Sequence, residues 1–115
     1  MTRNCVDIKN YEGVRVVFTE KQRELKSAFH SELRQESFIK RIEEAIRKPE
    51  FVYEDLAKQG RMVYYRYEYS FNGRPTYTKV VVRAQKKYCF VITAYRPNSV
   101  KERGKTKLLY GEDKN

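Results

Sequence analysis

The stretch GRMVYYRYEYSFNGRPTYTKVVVRAQKKYCFVITAYR, residues 60–96, decides the fold, and it holds seven of the chain's ten tyrosines and eight of its basic residues. At its centre Asn72-Gly73 separates two alternating runs, the signal of a two-residue hairpin turn in which both central residues take positive φ. Phe71 then pairs with Arg74. An unbroken ladder places Ser70 opposite Pro75, Tyr67 opposite Thr78, Arg66 opposite Lys79, Tyr65 opposite Val80 and Val63 opposite Val82. Pro75 falls at a non-hydrogen-bonded position, where its missing N–H does no harm. This register predicts one mainly apolar face, with Val63, Tyr65, Val80 and Val82, for helices to cover. Residues of the other parity point outward.

The third strand, about 88–96, continues that apolar face if Phe90 and Ile92 lie beside Val80 and Val82. A three-residue loop, Gln85-Lys86-Lys87, achieves this and sets Thr93 beside Lys79; a loop of two or four residues turns Thr93 inward. One outward row then reads Arg66, Lys79, Thr93, and the next reads Glu68, Tyr77, Tyr95. Arg66 and Lys79 are like charges directly opposed, which repel unless they splay into water or an anion sits between them.

Upstream, Val14–Phe18 reads as a short strand followed by Thr19-Glu-Lys-Gln22, a capping box in which Thr19 caps a helix and Gln22 reaches back. That helix is expected to run to about His30, with Leu25, Ala28 and Phe29 on one face. A second helix, about 35–47, carries Phe38, Ile39, Ile42, Ala45 and Ile46 at the spacing of a stripe laid on a core, and Lys48-Pro49 ends it. Phe51–Asp55 reads as a further strand. The expected architecture is α+β: two N-terminal helices packed on a mostly antiparallel twisted sheet of about four to five strands. It forms one domain over 1–115, with flexible ends at about 1–12 and 111–115.

The net charge of +10 is unevenly divided. Residues 1–60 carry 12 Lys+Arg against 11 Asp+Glu, whereas residues 61–115 carry 13 against 4. A one-sided basic surface concentrates polyanions, nucleic acid above all. Cys5 and Cys89 are far apart and the chain has one histidine, so no metal or other cofactor is expected and both thiols are expected to be free in a reducing cytoplasm. No apolar run has the length of a membrane span and no signal peptide is legible at the N-terminus, so no membrane partner is expected.

The outward row suits phosphodiester chemistry. RNA brings its own nucleophile, the 2′-hydroxyl, so a cleaving protein needs a proton acceptor, a proton donor and cations aimed at the developing charge. Arg66 and Lys79 are the candidate cations, Thr93 a hydrogen-bond donor to phosphate, and Tyr95 or Tyr77 a hydrogen-bonding or stacking group. Arg83, Lys86, Lys87, Tyr64, Tyr77 and Arg96 are the expected nucleic-acid contacts. The same row also reads as a solvated sheet face with tyrosines in cross-strand pairs. His30 is the natural acid or base, although a histidine in the last turn of a helix also interacts well with the dipole. Glu68 is an alternative base. Glu43, Glu44, Glu54 and Asp55 have no metal-binding spacing.

The segments His30–Leu33 (HSEL), Ile42–Asp55 (IEEAIRKPEFVYED), Arg61–Tyr67, Tyr77–Ala84 and Cys89–Arg96 together resemble the phage-associated branch of the barnase, EndoU, colicin and RelE-like nuclease superfamily. Its members show an HPEL-like motif, a helix ending in EAI, a YYR strand, a K-V-V-V strand and a V-I-T-A-Y strand. The resemblance covers about residues 18–96. It implies a nuclease fold of that class with His30, Arg66, Lys79, Thr93 and Tyr95 around one cleft, acting as a metal-independent endoribonuclease of toxin or phage type. Leu25 and Lys26 stand where many members carry a second histidine, so catalysis by two histidines is excluded, and Ser31 stands where proline is usual. The substrate implied is RNA, with tRNA, rRNA and mRNA all open, and an acidic antitoxin or immunity protein is a further partner. The alternatives are a non-catalytic RNA- or DNA-binding module and a basic interaction domain for an acidic protein.

Overall fold

The computed structural model describes residues 3–112. Seven strands form one mixed sheet: β1 Asn4–Lys9, β2 Arg15–Thr19, β3 Phe51–Glu54, β4 Arg61–Phe71, β5 Arg74–Ala84, β6 Cys89–Tyr95 and β7 Leu108–Gly111, in the order β1-β2-β6-β5-β4-β3-β7. Only β2 and β6 run parallel. Two helices, α1 Glu20–Ser27 and α2 Glu36–Arg47, flank a 3-10 turn at Ser31–Arg34.

The expectation of two N-terminal helices on a sheet of four to five strands is therefore corrected. A β1–β2 hairpin precedes both helices, and β7 extends the far edge. Both added strands are short edges. β1 exposes Asn4, Asp7 and Lys9 and buries only Val6 fully, the last two exposed residues being charges of the kind by which an edge strand avoids pairing with other chains. Of the ends expected to be flexible, 1–12 and 111–115, residues 4–9 instead form β1 and Gly111 closes β7, while 1–2 and 113–115 lie outside the described residues.

The stripe on α2 behaves as its spacing demands. Phe38, Ile39, Ile42, Ala45 and Ile46 are all buried, against Val6, Val16, Phe18, Val52, Tyr64, Val80, Val82 and Val91. Each large side chain so buried contributes roughly 1.5–3 kcal/mol. The sheet curls round α2 far enough that Tyr11, just after β1, meets Tyr110 of β7 with ring centroids 4.2 Å apart.

α1 differs from expectation. Thr19 caps it, its hydroxyl accepting from the Gln22 amide N–H at 3.1 Å. The Gln22 side chain, however, donates to the Ile92 carbonyl at 2.7 Å rather than reaching back. β2 pairs with β6 only at Val16–Cys89 and Val17–Phe90, so the helix supplies a partner where that strand has ended. α1 stops at Ser27, and Leu25 and Phe29 are 58% and 76% exposed. Polar contacts hold it instead, with Arg23 Nε donating to the Leu33 carbonyl at 2.6 Å.

The hairpin turn is as expected, with φ of 51° at Asn72 and 75° at Gly73, and Phe71–Arg74 and Ser70–Pro75 are paired. Between Tyr67 and Tyr69 the ladder gains one residue, Glu68. Beyond that bulge Tyr67 pairs with Tyr77, Arg66 with Thr78, Tyr65 with Lys79, Tyr64 with Val80 and Met62 with Val82. The opposed pair Arg66 and Lys79 does not exist, and Val63 and Tyr65 lie away from the helices. They join a second core with Phe51, Tyr53, Tyr77, Val81, Ile92 and Val100.

A second bulge affects Thr93. The β5–β6 loop has four residues, Gln85 to Tyr88, because Ala84 pairs with Cys89. That length alone would turn Thr93 under the helices. The register then shifts at Ile92, between the pairs Val82–Val91 and Val81–Thr93, which restores Thr93 to the face of Lys79. Its direct partner is Val81, while Lys79 pairs with Tyr95.

Stability should follow these two helix environments. Ile42→Ala, at a fully buried position, should lower the unfolding free energy by about 2–5 kcal/mol in urea titration. Leu25→Ser should change it by less than about 0.5 kcal/mol; a large loss there would place the α1 apolar face in the core after all.

Candidate active site

After β6 the chain must cross from the middle of the sheet to its far edge. Residues 96–107 do this as a strap over the second core. Its Pro97 carbonyl accepts from the Tyr77 N–H at 3.0 Å and Asn98 Nδ2 donates to the Pro75 carbonyl at 3.0 Å. Val100 inserts into the apolar cluster, and at the far end Thr106 Oγ1 donates to the Glu54 carbonyl at 2.7 Å.

The strap carries Glu102 into the sheet. With 1% exposure it is among the most buried side chains of the protein, and Lys79 beneath it is 4% exposed. Lys79 Nζ donates to Glu102 Oε2 at 3.2 Å, and the Tyr65 hydroxyl donates to Glu102 Oε1 at 2.5 Å. Two buried charges are tolerable only when paired and further hydrogen-bonded; here both carboxylate oxygens have a donor. The ammonium also lies 5.4 Å from the Tyr65 ring centroid and 5.5 Å from that of Tyr95, within cation–π range. Burial, reinforced by the bond to Glu102, pushes the Tyr65 phenol well above its usual range, so it stays protonated and remains a donor.

Tyr95 links this network to the histidine. The His30 ring stacks on it with centroids 4.5 Å apart and planes 10° from parallel. His30 is not in the last turn of α1: it lies beyond the helix cap, with φ −135° and ψ 90°, as the residue that opens the 3-10 turn. Its backbone N–H still bonds the Lys26 carbonyl at 3.0 Å. The element change frees its side chain to turn to the end of β6.

Beside this stack is a cleft of about 330 Å³ lined by Lys79, Thr93, Tyr95, Glu102, Arg61 and Asp55, among others. Thr93 Oγ1 is shielded from bulk solvent and has no hydrogen-bond partner. A buried hydroxyl left unpaired costs free energy. The cleft thus presents a phenol and a buried ammonium beside the Thr93 hydroxyl, and the imidazole adjoins it through its stack on Tyr95.

Of the expected catalytic residues, His30, Lys79, Thr93 and Tyr95 come together and Arg66 does not. Arg66 is on the helix side, donating to the Lys48 carbonyl at 2.7 Å, where it caps the end of α2. Glu68, the alternative base, accepts from Thr78 Oγ1 at 2.8 Å and pairs with Arg41 of α2. Both departures follow from the bulge. Tyr64 and Tyr77 are corrected as nucleic-acid contacts because each is packed in a core. The Tyr64 hydroxyl accepts from Asn10 Nδ2 at 2.9 Å, and burial pushes its phenol up to about 12. Arg96 stacks over the Phe38 ring at 4.6 Å. Arg83, Lys86 and Lys87 are exposed at the loop end of β5. Cys5 and Cys89 are free thiols.

Glu102, Tyr65 and Arg61 were not anticipated. A signal for the first was present: Glu102 is the only acidic residue between Glu68 and Glu112, and an isolated carboxylate in so basic a stretch has cations to meet. Among the described residues no three or more His, Cys, Asp or Glu side chains cluster in a way that could hold a metal ion. No family model, no curated protein and no solved structure matches the chain.

A double-mutant cycle tests the buried network. Lys79→Met should cost about 3–5 kcal/mol by stranding Glu102, and Glu102→Gln, which keeps an acceptor for Tyr65, should also destabilise. The double variant should be more stable than the sum of the two losses by at least about 1 kcal/mol. Strict additivity in urea titrations would show that the pair is not coupled.

Proposed function

We propose that the protein is a metal-independent endoribonuclease that works at the cleft beside the His30–Tyr95 stack. The observation that carries this reading is that the chain's one histidine, from the α1–α2 connection, stacks on Tyr95, which lines the cleft with Lys79 and Thr93 of two strands. The motif resemblance to the barnase-, EndoU-, colicin- and RelE-like nucleases supports the same four residues. The +9 charge of residues 61–115 supports a polyanionic substrate.

In the proposed reaction the 2′-hydroxyl of RNA attacks the adjacent phosphorus and the 5′-oxygen of the next nucleotide leaves. A 2′,3′-cyclic phosphate and a 5′-hydroxyl result. His30 takes the 2′-hydroxyl proton and returns it to the leaving oxygen, so one imidazole serves both transfers in turn. Tyr95 holds the imidazole plane by stacking. Thr93 donates to a non-bridging oxygen, and Lys79 adds positive potential where negative charge grows. Glu102 and Tyr65 fix the position of that ammonium. The working place of such an enzyme, with two free thiols, is a reducing cytoplasm, and an acidic antitoxin or immunity protein is its natural protein partner. Among the described residues no helix is long and apolar enough to cross a membrane.

One observation favours binding without cleavage. Glu102 balances most of the charge of Lys79, which weakens the transition-state term that an enzyme needs. Incubation with total RNA in EDTA, followed by end-mapping, separates the two readings. Fragments with cyclic-phosphate ends should appear and His30→Ala should lower their rate by about two to four orders of magnitude. Tight binding of intact RNA, with cleavage absent from the parent protein, would leave the binding module standing.

A further inference from the structure

The ladder that separates Arg66 from Lys79 brings another like-charged pair into opposition. Arg61 of β4 is directly opposite Arg83 of β5, and Arg83 is in turn opposite Phe90 of β6. These residues share the face of Lys79, Val81 and Thr93. Several arginines of the fold meet carboxylates, Arg15 with Asp7, Arg23 with Glu20 and Glu36, and Arg41 with Glu68, while Arg66 meets a carbonyl and Arg96 a ring. Neither Arg61 nor Arg83 is in an ion pair among the described residues. Arg83 is met by a neutral group, the Gln85 amide, whose oxygen when turned towards it accepts from Nε and Nη2 at 3.1 Å. Asp55 and Glu54 border pockets that Arg61 also lines, without forming an ion pair with it, and Asp55 Oδ1 accepts from the Ala57 N–H at 3.0 Å.

Opposed like charges destabilise a sheet, and an anion between them removes the penalty. Beyond Phe90 the same face continues as a shallow groove of about 430 Å³ with Val17, Tyr88 and Phe90 among its walls. Tyr88 is 37% exposed. Guanidinium groups beside open aromatic rings are the components that hold single-stranded nucleic acid, the first on phosphate and the second under a base. Arg83 is four residues along β5 from Lys79, about 13 Å at the rise of a strand, so it serves a different nucleotide from the one in the cleft.

We propose that Arg61, at the edge of the cleft, and Arg83, with Phe90 beside it, form a subsite for a phosphate and the adjoining base of single-stranded RNA, continuing the strand out of the cleft towards the loop end of β5. The subsite rests on the reading of that cleft as the cleavage site, and it makes the substrate an extended single strand rather than a dinucleotide or a duplex.

Anisotropy titrations of the His30→Ala protein with labelled two- and eight-nucleotide RNAs test it. The longer RNA should bind at least tenfold tighter. Arg61→Gln combined with Arg83→Gln should remove most of that gain and flatten the logarithmic salt slope by about 0.7, the value for one lost phosphate contact to a single strand. Thermal midpoints no lower than the parent's should accompany the loss, since the repulsion is relieved. Phe90→Leu, which keeps an apolar side chain against the core, should weaken the eight-nucleotide RNA by roughly fivefold or more and a duplex of the same length less. Unchanged affinity and slope in the double arginine variant would overturn the subsite. Equal capture of polyglutamate, with no effect of Phe90→Leu, would also overturn it in favour of an acidic protein surface. Cleavage is scored separately on the parent protein: RNA held through both arginines but never cut defeats the nuclease reading and leaves the subsite, whereas cutting that ignores RNA length defeats the subsite alone.

Discussion

Between Tyr67 and Tyr69 one extra residue enters β4, and every side chain on the β3 side of that point changes faces relative to a regular hairpin. Glu68, the inserted residue, is held on the helix side by Arg41 of α2 and by Thr78. With the bulge pinned there, Tyr64 and Met62 go beneath α2 while Val63 and Tyr65 face the strap. The second core, the burial of Lys79 and the seat of Glu102 all depend on this one insertion. A regular ladder would bring Arg66 to the strap face and leave Glu102 with a different set of donors.

The strap converts an open sheet face into an enclosed one. Such a face needs apolar cover, and Val100 with the Phe51, Tyr53, Tyr65 and Tyr77 rings supplies it. A chain crossing at that level also lowers the local dielectric, so a lone lysine there demands a partner. Glu102 meets the demand, each of its oxygens accepting one hydrogen bond. Arg83 is further along β5, exposed beyond the strap, and keeps its charge for solvent or for an anion, while Arg61 lines the cleft together with Asp55 and Glu102. The uncompensated part of the positive charge on this face is therefore displaced from Lys79 towards the loop end of the sheet.

His30 reaches the site by a different route. α1 ends before it, and the extended backbone at His30 turns the imidazole onto Tyr95 at the end of β6. Stacking restricts the ring to a plane without consuming a nitrogen, so both nitrogens stay available to exchange protons. Thr93 gains its place through the shift at Ile92. Two bulges and a helix end thus assemble the four groups, each a local irregularity of the kind that often re-aims side chains at functional sites.

What the sequence determined by itself was local. Asn72-Gly73 needs positive φ at both positions and could only be the turn; Thr19 could cap; the α2 stripe could bury one face; Pro49 ended the helix. The grouping of Lys79, Thr93 and Tyr95 on the face away from the helices was also legible, in the case of Thr93 because a longer loop and a bulge cancel. What only the tertiary structure decided was the phase of β4. From Thr76 to Val82 β5 is buried on both faces, so Val80-Val81-Val82 and Tyr64-Tyr65 offer apolar side chains whichever face turns inward. A period of two fixes alternation but not which parity faces the core, and one inserted residue reverses it at little local cost. The charges of Glu68, Arg41, Lys79 and Glu102 chose between the two phases, through contacts between residues 23 to 37 positions apart that no local pattern records.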